Sequence, residues 1–330
     1  MYRIGIDLGG TNIAAGLVRD LQILDRASVR TNAPRPVEDI IGDMVLLVDT
    51  LLQRNHLSPG EIASVGVGVP CTANPENGHM EDANNLGYDD TPFLSLLAKR
   101  LDMPVYFGND ANVAAWGEYL TGDYEEDSFI MVTIGTGIGG GIILNGCLWE
   151  GINGAAAEFG HMTIHGSGAD CNCGRKGCFE AMASATALIR SARERMSSRP
   201  DSLLWKLCGD APSRVEAKTV FDGAAAGDPV CRDLLEEYTT CLAEGVTNII
   251  NIFQPAVLCI GGGVSRAGDA LLLPLRRKVS ERIYSQNSRR NTRIELAKLD
   301  NDAGILGAAL LGTRRKPVMR FLPQPEEGLL

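Results

Sequence analysis

Three glycine-rich turns, each closing a short apolar run, constrain the fold of this chain more than any other feature. The first, Asp7-Leu8-Gly9-Gly10-Thr11-Asn12, ends the run from Ile4 to Leu8. The second, Gly135-Thr136-Gly137-Ile138-Gly139-Gly140-Gly141, follows Met131 to Ile134. The third, Gly261-Gly262-Gly263, follows Ala256 to Ile260 and precedes Val264-Ser265 and a helix. Residues without a Cβ let the backbone approach a polyphosphate, and successive N–H groups in such a turn form a nest for an anion. One such turn alone is an ordinary hairpin. Three of them at strand ends point to nucleotide phosphates, with the third suited to face adenosine. Thr11 adds a hydroxyl donor, and Asp7 at its strand end is placed to hold Mg²⁺ through water. No Gly-Lys-Ser/Thr follows any of them, and the first glycines open a hairpin and not a helix, so neither a Walker A loop nor a Rossmann fingerprint is present.

Hydrophobic periodicity places these turns in an α/β chain with a mixed sheet. Strands are predicted at Arg3–Leu8, Ile13–Val18, Ile23–Val29, Val65–Val69 and Pro104–Phe107, and helices at Val37–Asn55, Phe93–Leu101 and Ala111–Leu120. From Phe129 the pattern restarts: Met131–Ile134, a glycine turn and Ile142–Leu144 echo the opening of the chain. Longer helices at about Pro229–Phe253 and Leu271–Tyr284 bracket the strand Ala256–Ile260. This reads as two related lobes with a cleft between them. The expected division is residues 1–118 plus 304–330 as a smaller lobe with a returning C-terminal helix, and 119–303 as a larger one. Lys316 to Leu330, with three prolines, reads as a loosely held tail.

Charge and cysteine usage narrow the function classes. The chain has 330 residues and a net charge of -10, without a basic run, which disfavours nucleic acid as a partner. Arg289-Arg290 with nearby Arg293 is the densest basic cluster, and a solvated helix end explains it as well as a binding patch. Met1 to Asp7 enters a strand at once, so neither a leader peptide nor a preceding DNA-binding domain is expected, and the cytoplasm is the expected location. The longest nearly apolar run, Phe129 to Leu144, holds five glycines and two threonines and reads as strand-turn-strand, so no membrane partner is expected. Of nine cysteines, three crowd between positions 171 and 178, a pattern that favours reduced thiols and a metal site over disulfides.

Two constellations carry chemistry. Asp110 follows the strand Val105-Tyr106-Phe107 at the start of a helix. Such a carboxylate can take a proton from an attacking hydroxyl while Mg²⁺ and backbone amides stabilise a transferring phosphoryl group. Equally, Asp110 or Asn109 can cap the helix, and the two roles are compatible. Cys171, Cys173 and Cys178 form C-x-C-x4-C, and His161 lies ten residues upstream. Three thiolates and an imidazole make a closed tetrahedral set for structural Zn²⁺, against the alternative of three free thiols in a polar loop.

These residues together resemble the ROK family of sugar kinases and sugar-responsive repressors, within the actin/hexokinase/Hsp70-like (ribonuclease H-like) superfold. The resemblance runs from Ile4 to about Leu311. It rests on Asp7–Asn12, Gly108-Asn109-Asp110-Ala111-Asn112, Gly135–Gly141, Glu158-Phe159-Gly160-His161, Cys171-Asn172-Cys173-Gly174 through Cys178-Phe179-Glu180, and Gly261–Gly263. Within the family the chain is most similar to bacterial glucokinases. The resemblance implies an ATP- and Mg²⁺-dependent hexose kinase with Asp110 as base. It implies sugar contacts from Asn85, Asn109, Glu158, His161 and Glu180, zinc on His161 and the three cysteines, and a homodimer or homotetramer. Glucose is the first expected substrate. N-acetylmannosamine, N-acetylglucosamine, allose and fructose are the alternatives, followed by a sugar-sensing regulator without its DNA-binding domain and an actin- or Hsp70-type ATPase. One departure stands out: the glucokinases usually have Asn-Leu-Gly-Trp where this chain has Asn85-Leu86-Gly87-Tyr88.

Overall fold

The computed structural model describes residues 1–83, 86–122 and 124–313. Strand β1 (Tyr2–Leu8) turns into β2 (Asn12–Arg19) and then β3 (Gln22–Arg30), each pair antiparallel, with Ile4 opposite Leu17 and Ile6 opposite Ala15. Helix α1 (Val37–Arg54) buries Ile40, Ile41, Met44, Leu47, Val48 and Leu51, the single apolar face expected from their spacing. Strand β4 (Ile62–Val69) returns parallel to β1. A small hairpin, β5 (Thr72–Ala73) and β6 (Met80–Glu81), and helix α2 (Phe93–Ala98) lead to β7 (Val105–Asn109), which lies parallel to β4. Helix α3 (Asp110–Thr121) starts immediately after it. The first sheet therefore has the order β3-β2-β1-β4-β7.

The second half repeats this plan. Strands β8 (Phe129–Ile134) and β9 (Ile138–Leu144) form an antiparallel hairpin, extended by β10 (Cys147–Leu148). Helices α4 (Phe179–Ala183), α5 (Ala185–Ser198), α6 (Leu203–Leu207), α7 (Ala217–Ala225) and α8 (Pro229–Phe253) follow. Strand β11 (Val257–Gly261) then lies parallel to β8, and after α9 (Asp269–Ser280) strand β12 (Arg293–Leu296) lies parallel to β11. The order β10-β9-β8-β11-β12 again joins a hairpin to parallel strands. Helix α8 begins at Asp228, whose side chain accepts from the Cys231 amide, with Pro229 in the first turn. It stops at Gln254 in a left-handed conformation. The first sheet packs Ile4, Ile6, Val65 and Val67 against α1, and the second packs Ile130, Val132, Leu258 and Ile260 against Leu242 and Val246 of α8. Among the described residues, no helix is long and apolar enough to cross a membrane.

Helix α10 (Asp302–Ala309) returns to the first sheet and packs on β1, β4 and α3. Its approach is backbone to backbone. A Cβ on Gly5 would lie 1.9 Å from the Ile305 carbonyl oxygen, and one on Gly66 1.8 Å from that of Ala308. Where α10 crosses α3, a Cβ on Gly307 would lie 1.8 Å from the Val113 oxygen and one on Gly117 2.3 Å from the Ala303 oxygen.

Several elements depart from the sequence reading. The second turn was expected to span Gly135–Gly141, but β9 begins at Ile138 and runs through Gly139, Gly140 and Gly141. These glycines admit neighbours: a Cβ at 141 would lie 2.4 Å from Ala115 Cβ of α3, and one at 140 would meet the Phe159 ring. Helix α2 ends at Ala98 and not Leu101, and α9 spans Asp269–Ser280 and not Leu271–Tyr284. Between Gly263 and Ala267 the chain forms a 3₁₀ turn ahead of α9. Asn85 and the expected tail from Lys316 lie outside the described residues.

The seat of α10 predicts a sharp contrast between two glycines. Gly66→Ala forces a methyl into the Ala308 carbonyl and is expected to cost about 3 kcal/mol or more. Gly42→Ala, in α1 with open space around its Cβ position, should instead stabilise by about 0.5–1 kcal/mol. Urea unfolding of both variants checks the pair.

Candidate active site

The junction of β7 and α3 places Asp110. Asn109 is the N-cap: its Oδ1 accepts from the amides of Ala111 and Asn112 at 3.0 and 3.1 Å, and its Nδ2 donates to the Cys71 carbonyl at 3.2 Å. The cap is thus supplied by Asn109. Asp110 accepts from the Ala111 amide with one oxygen, at 2.7 Å, and lines a cavity with Asp7 and Glu158. Burial pushes the Asp110 carboxyl up to about 6, against the pull of the Ala111 amide and with added repulsion from Asp7 and Glu158. Burial raises Asp7 as well. Glu158 is also raised by burial, with opposing effects from His161 and Glu180.

The cavity has a volume of about 1050 Å³ and is lined from both sheets. Asp7, Pro70, Cys71, Asn109 and Asp110 come from the C-terminal ends of β1, β4 and β7. Thr133, Gly135, Gly137, Gly139, Gly140, Glu158, His161, Glu180 and Gly262 come from the other half, and Asp300 and Asn301 from the loop ahead of α10. Ligands collect at such carboxyl strand ends, where loops diverge. Of the residues singled out from sequence, Asp7, Asn109, Asp110, Gly135, Gly137, Glu158, His161, Cys173, Glu180 and Gly262 meet at this cavity. Gly9, Gly10, Thr11, Asn12, Thr136, Gly261, Gly263, Cys171 and Cys178 are not among its lining residues.

The first two glycine turns are held from outside. Thr31, fully buried, donates its hydroxyl to the Gly9 carbonyl at 2.6 Å and its amide to the Thr11 carbonyl at 2.8 Å. In the second turn the Gly135 amide donates to the Gly137 carbonyl at 2.9 Å. Ala185 and Thr186 at the start of α5 donate to the Gly135 and Thr136 carbonyls. Glu180 Oε2 accepts the Ile138 amide at 2.8 Å, so this carboxylate braces the turn as well as facing the cavity. Sequence reasoning missed Thr31, and it missed Cys71, Asp82, Thr133, Asp300 and Asn301 of the lining. The signal for Cys71 was its place just past the end of β4, beside Asp110 in the neighbouring strand end.

His161, Cys171, Cys173 and Cys178 each offer a ligand atom, all within 4.8 Å of one another. Cys173 Sγ and Cys178 Sγ are 3.6 Å apart, and Cys171 Sγ is 3.7 Å from His161 Nδ1. Tetrahedral zinc with Zn–S bonds of about 2.3 Å needs sulfurs about 3.8 Å apart, so the set fits that ion. The Arg175 amide and guanidinium hold the Cys173 thiol down at about 6, while burial pushes Cys178 up to about 12. Binding a metal here would release a proton from Cys178. His161 would ligate through Nδ1, leaving Nε2 for the cavity that His161 lines.

Residues 3–315 match the family model described as ROK family. The chain is 40% identical over 311 residues to a glucokinase from Thermotoga maritima, covering 93% of this chain and 95% of that one. It is 30% identical over 311 residues to a xylose repressor from Caldicellulosiruptor bescii, covering 92% of this chain and 76% of the repressor. The fold superposes with a TM-score of 0.81 on a crystal structure of a ROK family glucokinase from Streptomyces griseus in complex with glucose and AMPPNP. That structure is 34% identical, with coverage of 94% of this chain and 98% of that one.

The raised Asp110 pKa gives a prediction independent of any ligand. Its ionised form is disfavoured in the fold, so Asp110→Asn should melt a few degrees higher than the wild type at pH about 8. The difference should shrink as pH falls through about 6, where the wild-type carboxyl takes up its proton, and vanish below the ordinary value of 3.8. Thermal unfolding across this pH range checks the sign.

Proposed function

The chain belongs to the ROK family, and on that premise we propose that it transfers the γ-phosphoryl group of ATP to a hexose, glucose first, giving glucose 6-phosphate and ADP. The observation that carries the reading is Asp110, a carboxylate with its pKa raised toward neutrality, at the strand end where both halves of the chain line one cavity. Asp110 takes the proton from the attacking sugar hydroxyl as that oxygen bonds to the γ-phosphorus and the bond to the β–γ bridging oxygen breaks. Asn109, Glu158, His161, Glu180 and Asn85 hold the remaining hydroxyls, each of which can both donate and accept. The glycine turns at Gly9–Asn12, Gly135–Gly137 and Gly261–Gly263 hold the nucleotide.

Mg²⁺ supplies charge neutralisation on the phosphates. Asp7 suits the ion: its half-buried carboxylate faces the cavity and has no side-chain hydrogen bond among the described residues, which fits a hydrated cation. Zinc on His161, Cys171, Cys173 and Cys178 is structural in this reading. It fixes the His161 ring and the loop between Glu158 and Glu180, and so shapes the sugar side. The protein works in the cytoplasm as a homodimer or homotetramer. The resemblance to a repressor leaves a sugar-sensing regulator as the second reading. Sugar-dependent retardation of DNA together with absent turnover would favour it.

A coupled ADP-release assay tests the proposal across glucose, N-acetylmannosamine, N-acetylglucosamine, allose and fructose. Glucose should give the highest kcat/KM, rising with pH through about 6 as Asp110 ionises. Faster turnover of another sugar would replace glucose as the substrate. Asp110→Asn should lower kcat by about 10²–10⁴ while glucose still binds. Near wild-type turnover would remove Asp110 from its role. Zinc chelation, or Cys173→Ser, should weaken glucose binding at least about tenfold and leave ATP binding within a few fold, both measured by calorimetry.

A further inference from the structure

The segment between β3 and α1 touches both the first glycine turn and the loop expected to carry sugar contacts. At one end Thr31 makes its two bonds to the Gly9 and Thr11 carbonyls, and the turn's own closure is a single bond from the Gly9 amide to the Asn12 carbonyl, 3.0 Å. At the other end the Tyr88 hydroxyl donates to the Arg35 carbonyl at 2.5 Å. Tyr88 closes the loop that begins at Ala83: the two residues form an antiparallel bridge, and the Leu86, Gly87 and Tyr88 amides converge on the Ala83 carbonyl. A Cβ built on Gly87 would lie 3.5 Å from Pro34 Cβ.

The connection between these ends is short and stiff. Pro34 and Pro36 flank Arg35 and fix their own φ angles. The Arg35 guanidinium pairs with Asp43 of α1, which anchors the middle of the segment to the first core. None of Thr31, Arg35 and Tyr88 lines the cavity. Any effect they have on ligands passes through the loops they hold. The tyrosine at 88 also accounts for the departure from Asn-Leu-Gly-Trp, because its phenol supplies the hydroxyl that reaches the Arg35 carbonyl.

We propose that Thr31, Arg35 and Tyr88 are positioning residues that couple the sugar loop to the first phosphate turn, so that hexose and ATP raise each other's affinity through this segment. The inference rests on the kinase reading above. Sugar held against the loop that Tyr88 closes would fix Arg35 and, through Thr31, the turn proposed to meet the phosphates. By linkage the nucleotide strengthens sugar binding by the same factor.

Calorimetry with glucose and with a non-hydrolysable Mg²⁺–ATP analogue, each alone and each in the presence of the other, tests this on the full chain. The wild type should show a coupling of at least about fivefold in both directions. Tyr88→Phe keeps the ring and removes the hydroxyl. It should bind each ligand alone within about twofold of wild type, with coupling reduced below about twofold. Thr31→Val should behave alike and Thr31→Ser should retain the coupling. If Thr31→Val fails to fold, Tyr88→Phe decides alone. Wild-type coupling in Tyr88→Phe overturns the proposal. So does absence of coupling in the wild type, or a loss of glucose affinity in Tyr88→Phe with the coupling intact, which would mark a purely structural role. Failure of the wild type to bind either ligand overturns the kinase reading itself, and the proposal with it.

Discussion

The backbone-to-backbone seat of α10 on β1, β4 and α3 is the constraint on which the site depends. Ordinary side chains at Gly5, Gly66, Gly117 or Gly307 would hold these elements apart, because each Cβ position falls within 2.3 Å of a carbonyl oxygen. With the spacers removed, the start of α10 reaches the end of β1. A Cβ at Gly304 would lie 3.2 Å from the Asp7 carboxyl group, so the helix stands directly against that carboxylate. The same contact carries the preceding loop to the cavity. Glu118 of α3 accepts the Lys298 and Leu299 amides at 2.8 and 3.1 Å, and Asp300 and Asn301 follow as lining residues. Asp7, helix α3 with its proposed base, and the Asp300 loop are thus set by one close-packed helix.

This geometry gathers charge of one sign. Asp7, Asp82, Asp110, Glu158, Glu180 and Asp300 line the cavity, and no lysine or arginine does among the described residues. Among the described residues only Asp300 of the six is in an ion pair, with Arg266 at 2.8 Å. A polyphosphate entering such a cleft meets repulsion unless it brings a cation and is received by backbone N–H groups. The glycine turns supply the second requirement, and Mg²⁺ in the proposed reaction supplies the first. On the proposed reading the acidic lining favours a nucleotide held by amides and metal over one held by cationic side chains. Its Asp7 and Glu158 also add to the burial that raises the Asp110 carboxyl to about 6, where a base for an alcohol is useful.

How much of this was legible depended on whether a residue's role was local. Strands at Ile4–Leu8 and Ile13–Val18, the helix from Val37 and the long helix ending at Phe253 follow from period and capping, and their limits shifted by only a few residues. The metal set was legible because spacing in a short loop forces proximity, leaving only His161 to be brought in. The glycine tract at 139–141 was misread as turn because its purpose is remote: it clears space for Ala111 and Ala115 of α3 and for Phe159. The same holds for Gly5 and Gly66, which look like weak points in two strands until α10 arrives from some 240 to 300 residues away. Asp300 gave no local sign of function and Cys71 gave only its place past a strand end, since the convergence of strand ends is what brings both to the cavity. Helices α5 to α7 went unassigned, since α6 and α7 are short and α5 exposes much of its charged surface.

Glu180 shows why the two ends of the reaction should not be treated as separable. The family resemblance makes it an expected sugar contact, yet one of its oxygens accepts the Ile138 amide directly after the second glycine turn. Gly137 has room for that carboxylate only because it lacks a Cβ, which would lie 2.1 Å from Oε2. The metal loop, α4 and the second turn are thereby one mechanical unit on the second sheet. On the first sheet the Thr31–Arg35 segment joins the first turn to the loop closed by Tyr88 in the same manner. On the proposed reading, a ligand held by either sugar-side loop would act on a phosphate-side turn through hydrogen bonds to main-chain atoms, which glycines alone cannot hold rigid. That arrangement answers a difficulty built into any glycine nest: its amides approach an anion closely only because its residues are loose, and the rigidity must come from the parts that bind the acceptor.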